Sequence, residues 1–408
     1  MMRMQPSQVL FVTQYYRPEL IGSAPFSADL AEWLAGSGRQ VTVLTGLPHY
    51  PASEVFPEYR KGRSMREMFN GVAVERLGAW IPRRRSATSR MLGEAWFLMN
   101  GAFALATGRV ARHAVVLSLC PSILSVALGA MARVRDGRSV AIVHDIQSGL
   151  ARGLGMVGGG WLARLMQSCE RMVLNRADLV VVLSPEMADE LRRIGVTAPI
   201  EVVPIWVDTD QIRPLPPRAG GSMTVLYSGN LGKKQGLSQV IALAEALQAR
   251  RSGIRIVLRG NGNQADSIRT EIAERRLANT SLEPLLPDGG LSEGLAAGDI
   301  HLVPQDPDAA SFAVPSKAFN IMAAGRPFVA TAHPGSLLWR LRHRSGAFLC
   351  VPPNDAEAFA DAVLQLAGDA GLRAELGERG RLFVERHLAK QKVLGDFVTR
   401  LDALCARA

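Results

Sequence analysis

The chain has 408 residues, 48% of them hydrophobic, which exceeds one core and suggests two domains. Forty-seven Lys and Arg against 37 Asp and Glu give a formal charge of +10, so an anionic partner or surface is expected: nucleic acid, anionic lipid or a sugar-nucleotide pyrophosphate. Cys120, Cys169, Cys350 and Cys405 lie far apart with no CxxC or Cys/His cluster. That argues against a structural zinc site and for thiols in a reducing compartment.

The N-terminus, MMRMQPSQVLFVTQYY, does not read as a signal peptide, because its apolar run spans only Val9 to Val12. Val9 to Thr13 predicts a buried strand. The loop Gln14 to Ser23 follows, then a helix from Ala24 to Ala35 with Phe26, Leu30, Trp33 and Leu34 on one face. Val41 to Thr45 is the next strand, so the pattern is a βαβ unit and the sheet is parallel. Gly22 and Ser23 then fall at a strand's carboxyl end, where such sheets bind ligands. Gly46 to Arg66 carries three prolines with His49, Tyr50 and Tyr59 and reads as a long functional loop that binds an acceptor.

Arg83, Arg84, Arg85 and Arg90 precede the apolar stretch MLGEAWFLMNGAFALATG, and Arg109 and Arg112 follow it. Glu94 and Asn100 interrupt the run, which is shorter than the ~20 clean residues of a membrane span. A helix presenting Trp96, Phe97 and Leu98 beside those arginines would dock on anionic headgroups. The alternative is that the aromatics are core and the arginines a solvated face. Val115 to Leu119, Val140 to Val143, Leu179 to Leu183 and Ile200 to Pro204 are further strands. His144 and Asp145 follow the second of these, where Asp145 would orient the imidazole or meet acceptor hydroxyls. GLGMVGGG, Gly153 to Gly160, lacks a preceding strand and a Gly-Lys-Ser/Thr ending and reads as a flexible loop.

The proline-rich stretch Ile205 to Ser222 marks the domain boundary. Asp208-Thr209-Asp210 within it, and Asp306-Pro307-Asp308 later, favour turn or capping roles over metal. Thr224 to Tyr227 then restarts the strand pattern. SGNLGKKQGL follows, with Gly229, Asn230, Lys233 and Lys234 before a helix from Leu237 to Arg251, a combination suited to a pyrophosphate. Arg255 to Leu258 is the next strand, with Gly260 and Gly262 in its turn and Leu285 to Asp288 further on. Ile300 to Pro304 leads into SFAVPSKAFNIMAAGRPFVATAHPGS. Ser316 is placed to cap a short helix ended by Gly325, with Lys317 as the cation of its first turn. A lysine there opposes the helix dipole and suggests an anionic partner; a solvated side chain is the alternative. Gly335 and Ser336 follow the next strand where another helix begins, an anion site. Asp355 to Arg386 and Lys390 to Ala408 are helical by periodicity.

The run PSKxFNxMAAGRPxVA resembles the C-terminal-domain signature of family 4 glycosyltransferases. In particular it is similar to the bacterial polysaccharide and O-antigen branch with colanic-acid-type and N-acetylfucosamine-type transferases. Two glutamates of the wider family are replaced here by Phe312 and Asn320, so Asn320 offers a hydrogen bond without charge. The family's GRLxxxKG stands as GNLGKKQG, which puts Asn230 at its arginine, Gln235 at its last lysine and Lys234 beside it as the cation for phosphate.

The resemblance implies a GT-B fold: two Rossmann-like α/β domains with parallel sheets facing a central cleft. The boundaries expected are an acceptor-side domain 1–208, a linker 209–222, a nucleotide-sugar domain 223–388, and a C-terminal helix 389–408 crossing back. It implies a retaining glycosyltransferase that uses a nucleotide-sugar donor, a lipid-linked glycan acceptor, no cofactor and no metal, at the cytoplasmic face of the cell membrane and without nucleic acid. The sites implied are His144 and Asp145 for catalysis. For the donor they are Gly22, Ser23, Gly229, Asn230, Lys234, Gly260, Ser316, Lys317, Asn320, Gly335 and Ser336. Arg83, Arg84, Arg85, Trp96 and Phe97 would meet the membrane. A nucleotide-sugar epimerase of the same fold and a noncatalytic basic binding protein are the rival classes. Nucleoside diphosphate release that requires an acceptor separates them.

Overall fold

The structure, a computed structural model, describes residues 8–19, 22–49, 54–60, 65–81, 87–120, 122–149, 160–218, 220–232, 235–286, 290–307 and 315–406. The chain divides into two compact units, Met1–Val203 with Leu394–Ala408, and Pro204–Val393.

The first unit runs β1 (Gln8–Val12), α1 (Ala24–Gly36), β2 (Gln40–Gly46), β3 (Met65–Phe69), β4 (Val72–Leu77), α2 (Ala87–Ala106), β5 (His113–Cys120), α3 (Ile123–Ala132), β6 (Arg133–Val143), α4 (Gly160–Leu174), β7 (Leu179–Val182), α5 (Pro185–Arg193) and β8 (Ile200–Val202). Its sheet has the order β3-β4-β2-β1-β5-β6-β7-β8. All neighbours are parallel except β3 and β4. The strands are unbroken apolar runs because helices cover both faces. The steps from β4 to β5 and on to β8 all go one way across the sheet, whereas β1 to β2 goes the other. Right-handed crossovers therefore put α2, α3, α4 and α5 on one face and α1 on the opposite face.

The β3–β4 hairpin departs from the irregular loop and unassigned chain expected after Gly46. Its turn is Asn70-Gly71, with φ of 47° and 81°, the left-handed pair that a two-residue hairpin of this twist requires. Arg76 on β4 is wholly buried. Its guanidinium donates to Glu67 of β3, to the Gly46 carbonyl at 3.2 Å and to the Arg17 carbonyl. One buried, fully paired charge thus ties the hairpin to the loops after β1 and β2.

The second unit runs β9 (Thr224–Ser228), α6 (Ser238–Ala249), β10 (Arg255–Arg259), α7 (Ala265–Glu274), β11 (Thr280–Glu283), α8 (Leu291–Ala296), β12 (Ile300–Val303), α9 (Lys317–Ala323), β13 (Phe328–Thr331), α10 (Leu337–Ser345), β14 (Leu349–Val351), α11 (Ala356–Gly368) and α12 (Ala370–His387), with α13 (Lys390–Ala406) after it. Its six strands are all parallel, in the order β11-β10-β9-β12-β13-β14. The stretch expected to be helical from Asp355 to Arg386 consists of two helices. Asp369, at φ −123°, closes α11 and caps α12 by accepting from Leu372 N at 2.8 Å. Arg326 donates to the carbonyls of Leu215 and Pro216 at 2.9 and 3.0 Å, so the proline-rich stretch is fastened to this unit.

Helix α2 corrects the expected membrane face. Phe97 is 4% exposed and packs with Leu10, Val12, Leu44, Val116 and Leu128 in the core under the helix. Trp96 is 41% exposed, and its indole N–H donates to the Gly78 carbonyl at 3.1 Å. Arg83, Arg84 and Arg85 lie outside the described residues. Phe97→Ala is expected to destabilise the first unit by about 3–5 kcal/mol, the cost of emptying a buried aromatic site. Trp96→Ala should cost under about 1 kcal/mol, since it leaves no cavity. Urea unfolding followed by far-UV circular dichroism checks the pair; equal losses would contradict the assigned helix face.

Candidate functional site

Both sheets have a switch point, where strand order reverses and the loops at the carboxyl ends diverge to leave a crevice. In the first it lies between β1 and β5; in the second, between β9 and β12. Of the residues singled out in the sequence, Gly22, Ser23, Gly229, Asn230 and Lys317 follow strands that flank these places, while His144, Gly260, Gly335 and Ser336 follow the strands next to them, β6, β10 and β13.

At the second switch point, Tyr227 of β9 is the platform. Its ring is buried, and the Lys317 ammonium lies 3.8 Å from the ring centroid. Burial pushes the phenol pKa far up, so the hydroxyl stays protonated and donates to the Asn230 carbonyl at 2.7 Å. One side chain thus positions both the cation and the loop. Gly229 has φ +142°, a backbone that favours glycine, and the space above its Cα is bounded by Lys317 Cε and Nζ at 3.5 Å.

Two glycine turns interlock beside it. Gly229 N donates to the Arg259 carbonyl and Leu231 N to the Asn261 carbonyl, each at 2.9 Å. A side chain at Gly260 would overlap the Gly229 carbonyl, and one at Gly262 the Leu231 carbonyl and the Asn230 amide. Gly236, at φ +61°, lies against Gln305 and Asp306 of the loop after β12. Gln239 Nε2 fastens that loop further by donating to the Gln305 carbonyl at 3.0 Å. Lys233, Lys234, Phe312 and Asp288 lie outside the described residues. Leu286 is described and exposed.

Gly335, at φ +84°, leads into α10, and the Ser336 hydroxyl caps that helix by accepting from Trp339 N at 3.3 Å. The first-turn amides of Leu337 and Leu338, like those of any helix start, have no acceptor within α10. Ser316 departs from its expected role. It sits in helical geometry at φ −53°, ψ −28° and makes no side-chain cap bond, while the Pro315 carbonyl takes Ala318 N at 3.0 Å. Asn320 is half-buried on α9.

At the first switch point, His144 follows β6, and its amide donates to the Cys120 carbonyl at 2.9 Å. Its ring meets Phe26 of α1 edge-on at 5.6 Å, which sets it against the first turn of that helix. The Nε2 atom is shielded and has no partner among the described residues. Burial lowers the His144 pKa to about 4, although the Asp145 carboxylate pulls the other way. The imidazole is therefore neutral at pH 7. The Ser23 hydroxyl before α1 is likewise shielded without a partner among the described residues, and Gly22 takes φ +72°. Two orphaned polar atoms beside a helix N-terminus are what an anionic or hydroxylated ligand would complete.

Buried carboxylates that sequence reasoning missed hold this end of the sheet. Glu94 of α2 accepts from the Ser122 hydroxyl at 2.9 Å and from Arg90 at 3.0 Å. Burial would lower the Arg90 pKa, but Glu94, Tyr15 and Asp145 together raise it. Glu170 of α4 accepts from Gln147 N at 3.0 Å and from the Ser148 hydroxyl, three and four residues beyond His144. Glu19 accepts from Tyr16 N and His49 N at 3.2 and 2.9 Å. A lone acid inside an apolar helix was the visible signal for Glu94; the other two had none.

The Asp208 carboxylate is a turn cap. It accepts from Asp210 N and Gln211 N at 3.2 and 3.0 Å and pairs with Lys390 at 3.1 Å. Asp210 accepts from Gln391 at 2.6 Å. Asp308 lies outside the described residues. Among the described residues no three His, Cys, Asp or Glu side chains converge to hold a metal.

The His144 shift makes stability depend on pH. Between pH 6.5 and about 4 the unfolded chain binds a proton at this position that the folded chain does not, so stability falls as pH falls through that window. His301, in the second unit, is lowered to about 4 by burial as well. His144→Asn should reduce the pH dependence of the first unit's urea midpoint between pH 6.5 and 4, with the part due to His113, also lowered by burial, remaining, and leave the second unit's slope in place. An unchanged slope in the first unit would contradict the buried neutral imidazole.

Two family models match the chain: a glycosyl transferase 4-like domain over residues 22–206 and glycosyl transferases group 1 over residues 208–383. The putative colanic acid biosynthesis glycosyl transferase WcaI of Escherichia coli (strain K12) is 30% identical over 400 residues, covering 94% of this chain and 97% of that one. Among solved structures, sucrose-phosphate synthase from Thermosynechococcus elongatus superposes with a TM-score of 0.77 at 19% identity, over 98% of this chain and 100% of that one. Anabaena Alr3699/HepE in complex with UDP and glucose gives a TM-score of 0.70 at 14% identity, over 97% and 99%. With two parallel-sheet α/β units of the GT-B kind and this whole-length relationship, the chain belongs to the family 4 glycosyltransferases.

Proposed function

We propose that this glycosyltransferase moves a sugar, with retention of anomeric configuration, from a nucleoside-diphosphate donor to a hydroxyl of a lipid-linked glycan. The observation that carries the reading is the second switch point, where Lys317 is fixed on Tyr227 beside the Gly229 turn. A diphosphate there meets a fixed ammonium and, beyond β13, the amino-terminal end of the α10 dipole. Both are charge-complementary to a leaving group that gains negative charge as the glycosidic bond breaks. Lys234 adds a second cation by sequence position. The same anion complementarity suits the +10 net charge.

Relatives support the donor class and the setting: HepE was solved with UDP and glucose, and WcaI is described as a colanic acid biosynthesis transferase. In the first unit, neutral His144 and the Ser23 hydroxyl offer hydrogen bonds to sugar or phosphate oxygens, and Asp145 meets the acceptor. The acceptor hydroxyl forms the new bond on the face the diphosphate leaves, and its proton passes to the departing phosphate oxygen. No protein nucleophile is needed for this route, and the cations replace a metal.

The acceptor's lipid places the enzyme at the cytoplasmic face of the cell membrane. No described helix is long and apolar enough to cross a bilayer. Helix α2 instead exposes Leu92, Trp96, Met99 and Phe103 at helical spacing, with Arg83, Arg84 and Arg85 preceding it in sequence.

Lys317→Ala should weaken nucleoside-diphosphate binding about tenfold or more, because a charge-assisted hydrogen bond contributes roughly 1.5–3 kcal/mol. Calorimetry in excess EDTA checks both the residue and the absence of a metal requirement; unchanged affinity, or binding that needs magnesium, contradicts it. His144→Ala should lower acceptor-dependent release of nucleoside diphosphate at least ~100-fold, within the range of a positioned proton or hydrogen-bond donor. Its thermal midpoint at pH 7.5 should stay near wild type. Full turnover with a lowered midpoint would make His144 a core residue.

A further inference from the structure

Helix α4 has an outer face that neither the sugar chemistry nor the core uses. Trp161 is 70% exposed, and Leu165 and Met172 are also exposed, at spacings that put them on one side. Arg164 and Arg171 are exposed among them. The only acid in α4, Glu170, is buried on the inner side. The outer face is therefore apolar and basic with no negative charge. Helix α2 shows the same division: Leu92, Trp96, Met99 and Phe103 point outward, and its only acid, Glu94, points inward.

These two helices belong to one layer. The crossover sense puts them on the same face of the first unit's sheet, and each packs against α3, which lies between them and exposes Met131. The next helix in that layer, α5, does not share the character. It exposes Asp189 with Arg192 and Arg193, and these charges pair at 3 Å scale within the helix, as in Arg192–Asp189 at 3.1 Å. The apolar and basic surface is thus confined to the α2–α3–α4 part of the layer. Contiguous exposed apolar surface of this kind marks an interaction site. Tryptophan and leucine interleaved with arginine, without acids, match the boundary between acyl chains and anionic headgroups.

We propose that the outer faces of α2 and α4 form one docking surface for an anionic phospholipid bilayer, with α4 as a contact in its own right. It depends on the acceptor reading above for its purpose and not for its evidence. Docking through α4 has a consequence for the site, because Glu170 bonds Gln147 and Ser148 just beyond His144 and Asp145. The segment carrying those residues is then held by the helix that lies on the lipid, which presents it to an acceptor whose lipid stays in the bilayer.

The test is vesicle flotation of the full chain with phosphatidylglycerol-containing and pure phosphatidylcholine vesicles, at low and high salt, for three proteins. These are the wild type, the Trp161→Ser/Leu165→Ser variant and the Arg164→Ser/Arg171→Ser variant. All four positions are at the surface, so the fold should survive, and soluble nucleoside-diphosphate binding is measured alongside. The wild type should float with the anionic vesicles only and be released by high salt. The arginine variant should bind them about fivefold more weakly per residue removed, and the Trp161/Leu165 variant should lose affinity and the Trp161 share of the quenching of tryptophan emission by brominated lipid, with the Trp96 share remaining in whatever protein still binds. Wild type that ignores anionic vesicles, or variants that float like wild type, would overturn the proposal. So would a concentration-dependent dimer that both variants abolish, because a second copy would then cover the face. Loss of nucleoside-diphosphate binding in wild type would instead count against the transferase reading while leaving the docking result to stand.

Discussion

The packing of Lys317 on the buried Tyr227 ring is the contact on which the donor side depends. A lysine at the start of a short helix opposes the helix dipole and, left to itself, would turn into water. Here the ring face holds it over the crevice between β9 and β12, and the ring's hydroxyl fixes the neighbouring loop. Three chain segments far apart in sequence are thereby set relative to one another: the turn after β9, the turn after β10 and the start of α9. The glycines of the first two are required by space. Gly260 and Gly262 lie where a methyl group would strike a backbone carbonyl, so the turns close to a distance that no other residue permits.

The first unit reaches a comparable arrangement by other means. Its polar atoms at the switch point are held from behind by buried carboxylates. Glu19 bonds the loops after β1 and β2, Glu94 the start of α3, and Glu170 the chain after His144. Each accepts backbone or hydroxyl donors, so burial is compensated by bonds. For Glu170, burial still raises the pKa, and its bonds from Ser148 and Gln147 work against that rise. Among the described residues, His144 Nε2 and Ser23 Oγ are two of several shielded atoms of this unit without a partner, and these two lie close to the first turn of α1.

Much of the fold was legible because parallel strands buried on both faces leave continuous apolar runs, and glycine turns separate them from helices. The switch-point residues were legible for the same reason, since they follow strands. What failed to read was orientation and distance. Helix α2 is apolar nearly all round, so periodicity does not tell Phe97, which faces the core, from Trp96, which does not. The hairpin at Asn70-Gly71 carried a plain turn signal, but β3, MREMF, alternates charge with apolar residues at a sheet edge and does not look like core. Ser316 had a capping residue's identity and position, yet Pro315 starts the turn one residue early and the hydroxyl goes unused as a cap. Tyr227 under Lys317 and Glu170 behind His144 are contacts across many residues, for which a single sequence holds no local pattern.

The central claim is that the interlocked glycine turns, Lys317 and the start of α10 together receive the donor diphosphate. Hydrogen–deuterium exchange with and without a nucleoside diphosphate measures this directly, amide by amide. The account predicts slowed exchange in three separate segments, around residues 229–232, 260–262 and 335–338, with little change at the opposite ends of the same strands. Protection confined to one of these segments, or appearing instead around residues 251–255 and 278–279 at the amino ends of β10 and β11, would contradict it.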